Sequence, residues 1–126
     1  MPEDELRFPD DWPANCPPAD AVDANITAYG HSKENPPGEH DIETFHEMNV
    51  PVKPGQDLCQ RCGLSVSTTV EDAVEIRRLF PRRKRYIIVA DLKPEHGKIK
   101  MTEGPVPSHA TFWKYSHLTF QEIFRG

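Results

Sequence analysis

Residues 59–81, CQRCGLSVSTTVEDAVEIRRLFP, decide the fold because they join a strand signal to a helix signal. The segment 64–67 has the composition of a short strand. Thr68 and Glu71 then form a capping-box pattern, in which each side chain satisfies a free backbone N–H group at a helix start. This pattern predicts a helix over residues 70–80.

A second helix is predicted over residues 40–49, where Ile42, Phe45 and Met48 recur at near-helical spacing after a proline cluster. Strand patterns are found at the remaining apolar runs, which are 26–31, 86–92, 98–102 and 111–115. We therefore predict an α+β fold, with a small mixed, mainly antiparallel sheet and two short helices packed on it.

The strongest strand pattern is 86–92, a continuous apolar run that is typical of a central strand covered on both faces. The turn sequence KPEHG follows it at residues 93–97. This strand and the one at 98–102 are therefore predicted to form a hairpin.

Length and composition are those of one modest domain, since the chain has 126 residues, 37% of them hydrophobic and 28% charged. Acids and prolines dominate residues 1–24, which predicts an extended leader ahead of a single domain at 25–126. The leader lacks the apolar core of a signal peptide, and no apolar run is long enough to span a membrane. We therefore expect a cytoplasmic protein with reduced cysteines and no membrane partner.

Charge divides the chain into an acidic half and a basic half. Residues 1–50 have a balance of −10 and residues 51–126 a balance of +5. The halves would either neutralise each other in the fold or present two faces to different partners.

A basic segment within the second half is the predicted binding surface, either as a solvated loop or as a contact site. Its residues are Arg77, Arg78, Arg82, Arg83, Lys84 and Arg85. A protein partner is expected, because the net charge of −5 and the lack of a recognised motif disfavour nucleic acid.

The motif Cys59-Gln60-Arg61-Cys62-Gly63 resembles the knuckle of zinc ribbons. Zinc is usually held by four ligands, so Cys16 and one histidine would have to complete the set. The alternatives are two ordinary thiols in a turn before a strand, and a thiol–disulfide site. No other cofactor is expected.

A candidate catalytic set consists of His31, Ser67 and His109, each of which lies where a predicted strand begins or ends. Strand ends at one edge of a sheet commonly line binding clefts, and an imidazole can act as a base near neutral pH. For each histidine alone, a surface or structural role is the alternative.

Several short motifs spread over the chain are similar to those of a group of small uncharacterised bacterial proteins. These motifs lie at residues 15–18, 35–37, 62–66, 71–73, 92–97 and 108–113. This resemblance implies no particular activity.

The strand-to-helix sequence Ser65-Val66-Ser67-Thr68-Thr69, with His31 as an early basic residue, is similar to ADP-ribosyltransferase-like domains. That resemblance implies a compact split sheet and nucleotide chemistry. The chain departs from the family pattern at the catalytic acid, for which Glu122 is the only late candidate.

Two functions follow from these patterns. The first is a small binding or regulatory protein that acts through protein contacts made by the leader and the basic segment. The second is a small enzyme of ADP-ribosyl or other nucleotide chemistry, with a cleft lined by His31, Ser67 and His109. A zinc-stabilised binding module is compatible with either. The two functions are separated by one observation, which is whether these three side chains converge in a pocket.

Overall fold

Six strands form one sheet in which every neighbouring pair is antiparallel, in the computed structural model that describes residues 6–38 and 41–126. The strands are β1 (Val22–Asp23), β2 (Ile26–Ser32), β3 (Leu64–Ser67), β4 (Tyr86–Leu92), β5 (Gly97–Met101) and β6 (His109–Lys114). The helices are α1 (Leu58–Cys62), α2 (Val70–Leu79) and α3 (Phe120–Ile123). The predicted α+β class is confirmed, but the described residues hold three helices rather than two.

The strand order is β1-β5-β6-β3-β2-β4, so the predicted β4–β5 hairpin is wrong. β4 pairs with β2 over its whole length, and β5 pairs with β6 and β1. β4 is also not central: its outer side is bridged only by Val89 with Arg125. The turn at 93–97 reverses the chain locally but cannot determine which strand edge the next strand will join.

Helix α2 begins at Val70, as predicted, but its N-cap is the residue after Thr68, the predicted cap. Its N-cap is Thr69, whose Oγ1 accepts a hydrogen bond from the Asp72 N–H at 3.2 Å. The Asp72 carboxylate accepts from the Ser108 N–H at 2.9 Å, which ties the helix start to the approach to β6. Ala73 and Ile76 form its buried face. Neither α2 nor any other helix in the described ranges is long and apolar enough to cross a membrane.

The second predicted helix is wrong for the part of it that can be described, because residues 45–49 form a turn and residues 41–44 have no regular structure. His40 lies outside the described residues. Thr44 and Glu47 each accept a hydrogen bond from the other's backbone N–H, at 3.1 and 3.0 Å, and close one turn. Asn49 then adopts a left-handed φ of 55°, which ends the turn. Of the three apolar residues at helical spacing, Ile42 is buried whereas Phe45 and Met48 are exposed. Little packing energy therefore favours a longer helix.

The Cys-x-x-Cys segment is helix α1, not a turn. Asp57 caps it by accepting from the Cys59 and Gln60 N–H groups at 2.9 and 3.1 Å. The helix ends at Gly63, where an added Cβ would lie 2.2 Å from Thr111 Cγ2. The glycine is therefore required for the close approach of this segment to β6.

Cys16 and Cys59 form a disulfide across 43 residues of sequence, with Cα atoms 5.4 Å apart. The prediction of reduced cysteines is wrong for this pair, because the leader packs against α1 around Trp12 and Trp113 and brings the two thiols together. Cys62 remains a free thiol, and burial raises its pKa to about 11.

The described part of the predicted leader, residues 6–24, packs on the domain. The Phe8 ring lies 5.4 Å from that of Trp12 and 4.9 Å from that of Tyr115, centroid to centroid. Its last residues form β1, which pairs with β5. These contacts attach the described leader to one end of the sheet.

The largest core cluster lies between one face of the sheet and α3. Phe112 from β6 meets Phe120 and Phe124 edge-on, with centroids 6.4 Å apart in both pairs. Ala28 and Ile88 from the neighbouring strands are fully buried in the same cluster. This core occupies one face and leaves the opposite face of β2 to α2.

Removing the disulfide should destabilise the fold. We expect Cys16→Ser to lower the free energy of unfolding by about 2–4 kcal/mol, because the lost cross-link frees a 43-residue loop in the unfolded chain. Urea denaturation with and without dithiothreitol measures the difference. Dithiothreitol should lower the free energy of unfolding of the wild type by the same amount and leave that of Cys16→Ser unchanged. If dithiothreitol lowered the free energy of unfolding of both proteins equally, the stabilising role of the cross-link would be contradicted.

Candidate functional site

The sheet is joined at its middle by one residue pair. β2 and β3 pair only at Tyr29 and Ser67 in the described sheet, whereas β2 and β4 pair along seven residues. Beyond this point the two strands diverge, and a cleft of about 440 Å³ lies between His31 on β2 and residues 64–67 on β3. The sheet is therefore split where the cleft opens.

His31, Ser67 and His109, the three predicted catalytic residues, line this one cleft. Ser67 is the direct cross-strand partner of Tyr29 on one side and of His109 on the other. Paired residues in an antiparallel sheet share a face, and His31 follows Tyr29 by two residues, so all four lie on the same face. The sheet register thus brings the three side chains together.

His31 is 9% exposed, and its Nε2 lies 2.9 Å from the Ala73 carbonyl oxygen of α2. A carbonyl can only accept, so Nε2 carries the proton and Nδ1 keeps its lone pair in the neutral ring. Burial lowers the pKa of His31 below its usual 6.5, and the positive charges of Lys84 and Arg77 lower it further. The ring is therefore uncharged at neutral pH.

His109 is 5% exposed, and its Nδ1 lies 3.2 Å from the Thr102 carbonyl oxygen and 3.0 Å from Thr102 Oγ1. The carbonyl contact places the proton on Nδ1 and leaves the Nε2 lone pair free. Burial lowers the pKa of His109, and the charge of Lys84 adds to the effect. Gly104 covers the ring, since a Cβ there would lie 2.2 Å from His109 Cγ.

Ser67 lies between the two histidines and is 2% exposed. Its hydroxyl makes no side-chain hydrogen bond within the described ranges. Because no fully buried side-chain nitrogen or oxygen there lacks a partner, this hydroxyl is open to the cleft. It can donate to or accept from a ligand.

Two residues of the basic segment, Arg83 and Lys84, line the cleft. The Arg83 guanidinium lies 5.2 Å from the centre of the Phe80 ring. Arg78 instead pairs with Glu75 on the outside of α2. The other three members, Arg77, Arg82 and Arg85, are exposed and do not line the cleft.

The acidic leader does not neutralise the basic segment through any ion pair among the described residues. Asp20 pairs with Lys100 at 2.9 Å, and Asp23 pairs with Lys98 at 3.0 Å. Both lysines belong to β5, at the opposite end of the sheet from β4. These two ion pairs join the acidic half of the chain to the basic half, so the halves neutralise each other in part at β5. The described ion pairs do not extend this neutralisation to the basic segment.

Sequence reasoning missed the acidic wall of the cleft, which is formed by Asp41, Glu43 and Glu103. These are single acids in loops, and no local pattern indicates that the loops fold over the sheet. Glu122, the predicted late acid, lies instead in α3, where its carboxylate accepts from the Thr119 N–H at 3.0 Å.

The three cysteines do not share a site. Cys16 and Cys59 are bonded to each other, and the Cys62 thiol donates to the Leu58 carbonyl oxygen at 3.5 Å. Over residues 6–38 and 41–126, no group of three or more histidines, cysteines and acids is placed to hold a metal ion. Zinc binding at the cysteines stays a prediction, and it would require the disulfide to be reduced.

A scan against protein-family models and searches of curated proteins and of solved structures each return no match to this chain.

The two cleft histidines should make stability depend on pH. Their pKa values are lowered in the folded state, so the unfolded chain binds more protons as the pH falls through 6.5. We expect the free energy of unfolding to decrease between pH 7.5 and pH 5.5, and the double variant His31→Gln/His109→Gln to show a smaller decrease. Urea denaturation at a series of pH values measures both.

His117→Gln is the matched control, because it removes an exposed imidazole that does not line the cleft. If the free energy of unfolding of His31→Gln/His109→Gln decreased between pH 7.5 and pH 5.5 as much as that of the wild type, the two buried histidines would not be the cause of the pH dependence.

Proposed function

We propose that this protein is a small enzyme that handles a nucleotide-class ligand in the split-sheet cleft. The observation that carries the proposal is the convergence of His31, Ser67 and His109 in one cavity of about 440 Å³. Ligand cavities of small molecules typically span about 300–1,000 Å³, with apolar walls and a few convergent polar groups.

The walls suit a ligand that combines a flat ring with polar groups. Ile76 and Phe80 of the α2 side, and Phe45 and Met48 of the facing loop, supply apolar surface. Arg83 and Lys84 supply positive charge beside it. A nucleotide presents both features, a base that packs on apolar side chains and an anionic group.

The two imidazoles are suited to proton transfer. His31 is held by a bond from Nε2 and His109 by a bond from Nδ1, so each neutral ring keeps one unprotonated nitrogen. Titratable groups with pKa values shifted by burial and by a specific charge are typical of active sites. A positioned base contributes about 10²–10⁴-fold to a reaction rate.

The resemblance to ADP-ribosyltransferase-like domains supports the same proposal. The split between β2 and β3, the passage from β3 into α2, and the early His31 correspond to the features that this resemblance implies. The acid differs, since Glu122 is in α3 and the cleft acids are Asp41, Glu43 and Glu103. ADP-ribosyl transfer is thus the first chemistry to test.

Nucleotide binding should depend on the cleft residues. We expect the purified chain to bind NAD⁺ or ADP-ribose in calorimetric titration and to release nicotinamide from NAD⁺. His31→Gln and His109→Gln should each slow nicotinamide release by about 100-fold or more, because each removes a proton acceptor. Ser67→Ala should weaken binding by about 10-fold through one lost hydrogen bond.

His117→Gln again serves as the control, and it should retain wild-type binding and turnover. If the wild type bound no nucleotide at millimolar concentration, the proposal would be wrong.

A second function, contact with an acidic protein, is favoured by the three exposed arginines outside the cleft. Arg77, Arg82 and Arg85 form no ion pair with another described residue, so their charges are available to a partner. Exposed charge of one sign increases the association rate with an oppositely charged surface.

The triple variant Arg77→Gln/Arg82→Gln/Arg85→Gln should abolish salt-sensitive capture of protein partners from a host lysate. Nucleotide binding should be unchanged, since these residues do not line the cleft. A triple variant that retains every captured partner would contradict a contact role for the basic segment.

A further inference from the structure

Lys84 is folded back into the cleft by the turn that follows α2. Its N–H donates to the Phe80 carbonyl oxygen at 2.9 Å, which closes the chain over residues 80–84. Its side chain is partly buried and lines the cleft, whereas the neighbouring Arg82 and Arg85 are exposed. Part of the Lys84 side chain therefore lies at the cleft rather than in open solvent.

Lys84 forms no ion pair with another described residue. Burial lowers its pKa, and the neighbouring positive charge of Arg83 lowers it further. Other lysines differ: Lys98 and Lys100 pair with aspartates, and Lys114 is acted on by Glu47 and Glu122. A buried cation without a partner is costly, so a ligand that supplies negative charge would relieve the cost.

Neutral groups with free hydrogen-bonding capacity line the same cleft as this cation. Lys84, His31 and His109 line the same cavity, and the positive charge of Lys84 lowers the pKa of both histidines. Ser67, a residue that is 2% exposed, lines the same cleft, and its hydroxyl has no side-chain partner among the described residues. The acids Asp41, Glu43 and Glu103 also line the cleft, and none of the ion pairs between described residues includes Lys84.

We propose that Lys84 and the Ser67 hydroxyl form a subsite for the phosphate group of the ligand. Lysine binds phosphate as a point charge, and the hydroxyl can donate to a second phosphate oxygen. The inference rests on the proposed nucleotide cleft and deepens it, since it states which end of the ligand lies at the junction of β2 and β3.

The test compares three probes, which are adenosine, ADP and inorganic pyrophosphate, with the wild type, Lys84→Met and Arg85→Gln. Methionine keeps the length of the buried stem and removes the charge. Isothermal titration calorimetry gives the affinities, and the histidine Cε1–H signals in NMR spectra report contact in the cleft. Thermal denaturation without ligand reports stability.

We expect the wild type to bind ADP more tightly than adenosine, and pyrophosphate to shift the signals of His31 and His109. Lys84→Met should weaken ADP binding by about 10- to 100-fold, as expected for one charge-assisted hydrogen bond, and leave adenosine binding unchanged. The same variant should melt at a higher temperature than the wild type, because it removes an uncompensated buried charge. Arg85→Gln should match the wild type throughout.

Equal binding of ADP by the wild type and Lys84→Met would overturn the subsite, and so would an equal loss for adenosine and ADP. A lower melting temperature for Lys84→Met would overturn the uncompensated charge on which the inference depends. Binding of adenosine with no preference for ADP would end this inference but leave the nucleotide cleft standing. If the wild type bound none of the probes, both proposals would fail.

Discussion

One backbone pairing, Tyr29 with Ser67, holds the two halves of the sheet together, and the cleft exists because the pairing stops there. Continued pairing of β2 with β3 would satisfy their edge N–H and C=O groups but would close the space between them. α2 contacts both strands, and the hydrogen bond from His31 to the Ala73 carbonyl fixes the helix at the split. β2 and β3 thus form fewer hydrogen bonds with each other than two fully paired strands would, and the space between them has the size of a ligand cavity.

The same junction concentrates groups that are unfavourable for stability alone. Two buried imidazoles line the same cavity as Lys84, and burial disfavours protonation of all three groups. A fold selected only for stability would place apolar side chains here. The arrangement is therefore consistent with the proposed ligand cleft, because groups of this kind with shifted pKa values are typical of functional sites.

The Cys-x-x-Cys-Gly motif supports the other wall of the cleft. The Trp113 indole N–H donates to the Cys59 carbonyl oxygen at 2.9 Å, and the disulfide joins the same helix to the leader. Gly63 allows this helix to pack directly on β6, and Gln60 from the helix lines the cleft. Residues that resemble a metal knuckle in sequence act here as a structural anchor.

The sequence by itself predicted those strands that depend on the residue types of a short segment. The strands predicted at 64–67 and 86–92 match β3 and β4, because β-branched composition needs no distant partner. Strand order and the disulfide were decided by tertiary packing, since both depend on which distant segments become neighbours.

The cleft was decided in the same way. His31, Ser67 and His109 were identifiable as strand-end residues, but only the β2–β3–β6 register places them on one face. Lys84 was visible only as one of six basic residues, because whether a charge is solvated or buried depends on the fold around it.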